Sequence, residues 1–206
     1  MTFPSPKCAT EALWPKFVGL TDRADGSAVW IADAFAGSCA LAAEWTGYVS
    51  RNALKDNVRW FLFDKKKPHH RVISATVSSV KKHGGDASWG GNALDPKFVY
   101  PEGIAGFVTS PSFYASDPVF IKFVHKMKVD FIAFLLWEKF VGQASGDPPE
   151  RKALYDKLVR AKRVVRIVVP GKEARIGQHG QLVWFVVFKS TRARDLWMPG
   201  EKAEKE

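Results

Sequence analysis

Short apolar runs alternate with longer amphipathic stretches along most of this chain. The apolar runs have the length of β-strands, and the amphipathic stretches between them have the length of helices. This alternation is typical of an α/β protein whose sheet is mainly parallel, with helices on both faces. Strands are predicted at residues 28–33, 58–64, 104–109, 129–136, 164–170 and 182–189, and helices near 7–17, 40–46, 69–82, 117–128 and 150–161.

Two of the predicted strands carry information about their place in the sheet. Residues 129–136 and 164–169 are almost wholly apolar, which predicts central strands covered on both faces. The connection 171–180 is too short to contain a crossover helix. We therefore expect the last two strands to pair antiparallel, as a hairpin at one edge of the sheet.

The turn after the first predicted strand is a candidate cofactor site. Residues 33–39 read Asp-Ala-Phe-Ala-Gly-Ser-Cys and lead directly into a helical pattern. Small residues in such a turn let the backbone approach a ligand, and the free N–H groups of the helix start face it. Many such turns bind nothing, and Cys39 occupies a position where a dinucleotide-binding turn has glycine.

A second candidate site follows the strand 104–109. Ser110 and the carbonyl of Pro111 can accept hydrogen bonds from an amine, and Phe113 or Tyr114 can stack on a base. The alternative is an ordinary proline turn whose aromatic residues pack in the core. In a parallel sheet, Asp33, Asp64 and Ser110 would all lie at the carboxyl edge, where ligands bind in open α/β sheets.

The net charge of the chain indicates a class of binding partner. The chain has 31 Lys and Arg against 21 Asp and Glu, a formal charge of +10, which favours a polyanion such as nucleic acid. A solvated basic surface is the alternative. One basic cluster follows the second predicted strand, and its members are Lys65, Lys66, Lys67 and Arg71.

Length and composition limit the remaining classes. The 206 residues suffice for one domain, which we place at 1–198, followed by a charged tail at 199–206. No apolar run has the length of a membrane span, and the first residues lack the apolar stretch of a secretory signal. Cys8 and Cys39 have no metal-ligand spacing. We expect an intracellular protein that has neither a membrane contact nor a metal site.

The order of these segments resembles the S-adenosylmethionine-dependent DNA amino-methyltransferases, in particular the small phage-type enzymes that methylate the exocyclic amine of adenine. Members of that family have a Thr-Pro segment before the first helix, for which this chain has Ser5-Pro6. Their cofactor turn, Asp-Pro-Phe-Ala-Gly-Ser-Gly, is similar to residues 33–39 except at Ala34 and Cys39. Their second strand ends in an acidic residue, here Asp64.

The family's catalytic tetrapeptide is similar to Ser110-Pro111-Ser112-Phe113. Adenine enzymes have Asp or Asn followed by Pro-Pro and Tyr or Phe, and many cytosine-amine enzymes begin with Ser. This chain departs from both at Ser112. The resemblance covers nearly the whole chain by order and spacing, and each motif in it is degenerate.

The resemblance implies a Rossmann-like methyltransferase fold and methyl transfer from S-adenosylmethionine to an exocyclic amine of adenine or cytosine. It also implies that the target base leaves the duplex, and that the basic cluster holds phosphates. The implied catalytic residues are Ser110, Pro111 and Phe113. The implied cofactor-binding residues are Pro6, Asp33, Phe35, Ala36, Gly37, Asp64, and Asn92 or Asp95.

Three questions of function stay open at this level. DNA is the favoured substrate, and methylation of RNA or of a protein amine is an alternative. No segment has the size of a recognition domain, so either sequence specificity is low or a protein partner supplies it. The altered positions also fit an inactive methyltransferase-like protein that acts as a nucleic-acid-binding or assembly subunit.

Overall fold

The computed structural model describes residues 7–21, 27–65, 72–89, 95, 100–111, 116–125, 128–140, 149–175 and 180–204. Its strands are β1 (Val29–Asp33), β2 (Val58–Asp64), β3 (Asp86–Trp89), β4 (Ile104–Thr109), β5 (Phe131–Trp137), β6 (Val164–Val168) and β7 (Leu182–Phe188). Its α-helices are α1 (Lys7–Leu13), α2 (Val18–Thr21), α3 (Ala40–Arg51), α4 (Val72–Lys82), α5 (Ser116–His125), α6 (Pro149–Arg160) and α7 (Thr191–Trp197).

All these strands belong to one seven-stranded sheet in the order β3-β2-β1-β4-β5-β7-β6. The pairs from β3 to β5 are parallel, and β7 runs antiparallel to both β5 and β6. The predicted mainly parallel sheet and the predicted C-terminal antiparallel hairpin are therefore confirmed.

The prediction that β6 is a central strand is wrong. β6 lies at the sheet edge, where half of the Val168 surface is exposed, and the fully buried β7 occupies the inner position. β6 is apolar because both of its faces are covered all the same: Val165 belongs to one core cluster and Val164 to the other. The outer edge is also partly paired, since the backbone N–H of Glu204 donates to the Val164 carbonyl over 2.8 Å.

The two faces of the sheet have separate cores. One face packs against α1, α3 and α7 and contains Trp45, Trp184 and Trp197. The other face packs against α5 and α6 and is rich in phenylalanine. Consecutive residues of β1 show the alternation, since Ile31 belongs to the first core and Ala32 to the second.

Some elements escape the sequence pattern. β3, α2 and α7 were not predicted, and α3 continues to Arg51, five residues beyond the predicted end at 46. α7 begins at a capped terminus, where the Ser190 hydroxyl accepts the N–H of Ala193 over 3.1 Å. None of the described helices is long and apolar enough to cross a membrane.

Candidate cofactor site at the carboxyl edge of the sheet

Three parallel strands bring the candidate residues to one edge. β1 lies between β2 and β4, and its last residues pair with Leu62 on one side and Phe107 on the other. Asp33 ends β1, Asp64 ends β2, and Ser110 directly follows β4. The expected placement of these three residues at a shared carboxyl edge is therefore what the fold gives.

Asp33 is a buried carboxylate that holds two other segments. Only 2% of its surface is exposed. One oxygen, Oδ1, accepts the backbone N–H of Phe35 over 3.1 Å and the hydroxyl of Thr109 over 2.9 Å. Burial raises the pKa of Asp33, the hydrogen bonds from Phe35 and Thr109 lower it, and the nearby charge of Asp64 raises it, with a net value of about 7. Asp33 can therefore change charge near neutral pH.

The turn after β1 is anchored to the end of β2. The N–H of Gly37 donates to Oδ2 of Asp64 over 2.8 Å, and the N–H of Ala36 donates to the Phe63 carbonyl over the same distance. Gly37 has a φ of 46°, a left-handed conformation that favours glycine. The sequence Ala36-Gly37 thus folds into a tight turn whose backbone faces the carboxylate of β2.

Cys39 occupies the last position of the turn, before α3. Its φ of 60° and ψ of 26° are left-handed, a conformation that glycine adopts more readily than other residues. The side chain is fully buried, and burial, followed by the charges of Asp33 and Asp64, raises the pKa of the thiol to about 12. Cys39 is therefore a neutral packing residue and not a nucleophile.

The second candidate site of the sequence analysis, after β4, lies partly within the described residues. Ser110 is half-buried and Pro111 is buried, directly beyond the Thr109 hydroxyl that binds Asp33. Lys65 is exposed immediately after β2, and Asp95 is exposed. The remaining candidates, Pro6, Lys66, Lys67, Arg71, Asn92 and Phe113, lie outside the described residues.

An aromatic cluster that the sequence analysis missed lies beside the turn. Tyr100 contacts Phe63, Phe107 and Phe123 edge to face, with ring centroids 4.8 to 5.9 Å apart, and Phe123 also contacts Phe35 of the turn at 6.5 Å. Burial raises the pKa of the Tyr100 phenol above its ordinary value. This cluster packs against the turn through Phe35. Tyr100 stays a neutral phenol at physiological pH.

Thr109 is the other residue that sequence reasoning missed. It is completely buried, and its hydroxyl connects the end of β4 to the end of β1. A threonine is an ordinary strand residue, so its position in the pattern gave no sign of this bond.

Solved structures share this architecture. A type I restriction-modification methyltransferase subunit from Streptococcus thermophilus superposes with a TM-score of 0.62 at 13% identity, covering 91% of this chain and 45% of that one. A Listeria monocytogenes protein provisionally assigned to the class I S-adenosylmethionine-dependent methyltransferases gives 0.59 at 11% identity, covering 90% and 60%. A dimethyladenosine transferase from Plasmodium falciparum gives 0.54 at 12% identity, covering 93% and 65%.

These likenesses define the class of fold: the chain has a Rossmann-like methyltransferase fold. It spans between about half and two thirds of the length of these three structures. No family model matches the sequence, and no curated protein matches it. The fold is thus established by structure, at sequence identities that leave the activity to be argued from the site.

Proposed function

We propose that this protein is an S-adenosylmethionine-dependent methyltransferase that acts on an exocyclic amine of a nucleic-acid base. The observation that carries the proposal is the turn at the carboxyl edge, where Gly37 is held by Asp64 and Phe35 by Asp33. In open α/β sheets this edge is where ligands bind, and a tight turn before a helix presents backbone N–H groups to them.

In this proposal, different residues of the chain bind different parts of S-adenosylmethionine. The turn of Phe35, Ala36 and Gly37 lies against the cofactor, and Asp64 accepts hydrogen bonds from its ribose. Asp33 fixes the turn from beneath. Pro6 and Asn92 or Asp95 complete the cofactor half in this proposal. The cofactor supplies an electrophilic methyl group, and the protein contributes positioning.

The substrate half would orient the amine. In the proposal, the Ser110 hydroxyl and the Pro111 carbonyl accept hydrogen bonds from the exocyclic amine, which turns its lone pair toward the methyl group. Phe113 stacks on the extruded base. No covalent bond between enzyme and base is needed. The bound cofactor would supply the methyl group to the amine held by Ser110 and Pro111, its sulfur would be the leaving group, and the surplus proton of the amine would pass to water.

Nucleic acid is the proposed substrate on two grounds. The chain carries a formal charge of +10, and Lys65 is exposed at the same edge, at the start of the basic cluster with Lys66, Lys67 and Arg71. Two structural neighbours are a restriction-modification methyltransferase subunit and a dimethyladenosine transferase. We favour DNA over RNA by the resemblance of the motifs, with adenine or cytosine as the base and a protein partner supplying sequence specificity.

Calorimetry with S-adenosylmethionine and S-adenosylhomocysteine is the first test, and binding of both is expected. Tritium transfer to mixed DNA and RNA, followed by nucleoside analysis, then identifies the product. Ser110→Ala and Phe113→Ala should lower turnover and leave cofactor affinity nearly intact. Ser50→Ala, at an exposed position on α3, is the matched control. Equal incorporation by wild type and both site variants would refute the site assignment.

A second candidate function is favoured by Cys39. A buried side chain stands in the left-handed position where the related turn has glycine, and Ser112 also departs from the family's tetrapeptide. These changes fit a methyltransferase-like subunit that binds nucleic acid without catalysing transfer. Nucleic-acid binding together with no cofactor binding in the calorimetry would support this function over the first.

A further inference from the structure

One hydrogen bond joins the two halves of the candidate site. The Thr109 hydroxyl donates to Asp33 Oδ1 over 2.9 Å, and the same oxygen accepts the N–H of Phe35 in the cofactor turn. Thr109 is the residue before Ser110, the first residue of the proposed amine-binding segment. A single carboxylate oxygen thus connects the strand that carries the substrate half to the turn that carries the cofactor half.

We propose that Thr109 is a positioning residue: through the ionised carboxylate of Asp33, it holds the cofactor turn and the Ser110–Pro111 segment in a fixed relation to each other. The expected effects on cofactor affinity and turnover rest on the proposed function. The expected effect on the titration of Asp33 rests only on the hydrogen bonds to its carboxylate. Thr109 is fully buried, so it acts through Asp33 and not by contact with bulk solvent or an exposed ligand.

The charge of Asp33 determines how strongly this connection holds. Hydrogen bonds to an ionised carboxylate are roughly twice as strong as those to a neutral acceptor. Both donors therefore favour the ionised form and lower the pKa of Asp33, whereas burial raises it, with a net value of about 7. Removing the Thr109 hydroxyl takes away one of the two opposing contributions, so the pKa must rise further.

The described elements around Asp33 bring two titratable groups near it, Asp64 and Cys39. From β2, Asp64 raises the pKa of Asp33. From the start of α3, Cys39 has a pKa of about 12 and stays neutral across the range of interest. From β4, the polar group that reaches Asp33 is the Thr109 hydroxyl. Within the described part of the chain, no other ionisable side chain contributes to the shift of Asp33.

The expected result is a displaced pH profile. If the ionised form of Asp33 is the binding-competent one, apparent affinity scales with its fraction. With a pKa of about 7, Asp33 is about half ionised at pH 7 in the wild-type protein. In Thr109→Val, a pKa raised by about one unit, the size of one charge-assisted hydrogen bond, leaves about a tenth ionised. Cofactor affinity should then fall about fivefold at pH 7 and return to the wild-type value at pH 9.

The experiment compares three variants with wild type. S-adenosylmethionine affinity is measured by calorimetry from pH 6 to 9, and the Asp33 carboxyl is titrated by carbon-13 NMR without cofactor. Thr109→Val removes the hydroxyl, and Thr109→Ser retains it and should restore the wild-type midpoint. Thr10→Val is the control, because the Thr10 hydroxyl is equally buried and donates to the Lys7 carbonyl within α1 rather than to Asp33.

Turnover supplies a readout that a purely structural role would not move in the same way. In Thr109→Val at pH 9 the carboxylate still holds Phe35, so cofactor affinity is normal while the Ser110–Pro111 segment has lost its connection. We expect a lower kcat there with an unchanged cofactor Kd. An Asp33 midpoint that is the same in wild type and Thr109→Val would overturn the proposal. Absence of cofactor binding in wild type would refute the proposed function instead, and the NMR titration would still decide the role of Thr109.

Discussion

Asp33→Asn should gain stability relative to wild type as the pH rises. The folded protein raises the pKa of Asp33 from 3.8 to about 7, chiefly by burial. Between these two values the native state binds a proton that the unfolded chain has lost. The free energy of unfolding of wild type therefore falls as the pH rises from about 4 to about 7, and the full cost is present above 7.

The magnitude follows from the size of the shift. About three pKa units correspond to about 4 kcal/mol at 1.36 kcal/mol per unit. Asparagine keeps an oxygen that can accept the N–H of Phe35 and the hydroxyl of Thr109, and it never ionises. Burial of the neutral amide changes the free energy of unfolding by an amount that does not depend on pH. The gap in unfolding free energy between Asp33→Asn and wild type should therefore move by about 4 kcal/mol in favour of the variant from pH 4 to pH 8.

Urea unfolding at several pH values measures this gap, with an unchanged m-value as the sign that the compared states are the same. Asp195→Asn serves as the control, because 65% of that side chain is exposed and it bears no comparable burial cost. A gap between Asp33→Asn and wild type that stays constant within about 1 kcal/mol across the range would refute the reasoning. The gain in stability is expected to come with weaker cofactor binding, since a neutral amide oxygen holds the turn less strongly than a carboxylate does.

Three further substitutions test other parts of the structure. Asp64→Ala should weaken cofactor binding by about 1–3 kcal/mol, because it leaves the Gly37 N–H and the ribose hydroxyls without their acceptor; unchanged affinity in calorimetry would exclude this pose. Gly106→Ala should destabilise the protein by about 1–3 kcal/mol in urea unfolding, since a Cβ there would lie 2.5 Å from the ring of Phe131, and a neutral result would contradict it. Cys39→Gly should leave the unfolding free energy within about 1 kcal/mol of wild type, because relief of the left-handed backbone offsets the lost packing, and a loss of 3 kcal/mol would show that packing dominates.

The sequence pattern predicted the strands with an apolar run and the longer amphipathic helices, and it missed three short elements, β3, α2 and α7. β3 is four residues long, sits at an edge and has exposed Asp86 and Ser88, so it lacks the apolar run of an inner strand. α7 is a short helix that follows the last strand, and its Ser190 cap was the available sign of it. β6 was misplaced because an apolar run reports burial and not the position of a strand within the sheet.

The candidate site could also be predicted only in part. Asp33, Asp64 and Ser110 could be assigned to one edge because strand ends and parallel pairing determine where such residues lie. The bond between Thr109 and Asp33 could not be predicted, because it depends on β1 and β4 being neighbours in the sheet although 76 residues separate the two side chains. The same holds for Tyr100, whose aromatic contacts come from three different elements.

The contact between Trp184 and α1 has a consequence for how this protein is made. The indole N–H of Trp184 donates to the Ala9 carbonyl over 2.7 Å, across 175 residues of sequence. At a synthesis rate of about 5–20 residues per second, the ribosome needs on the order of ten seconds or more after making α1 before β7 exists. During that interval Ala9 and Leu13, which are completely buried in the finished fold, have no partner strand to cover them. We therefore expect the apolar face of α1 to lack its cover by the sheet until β7 has been synthesised.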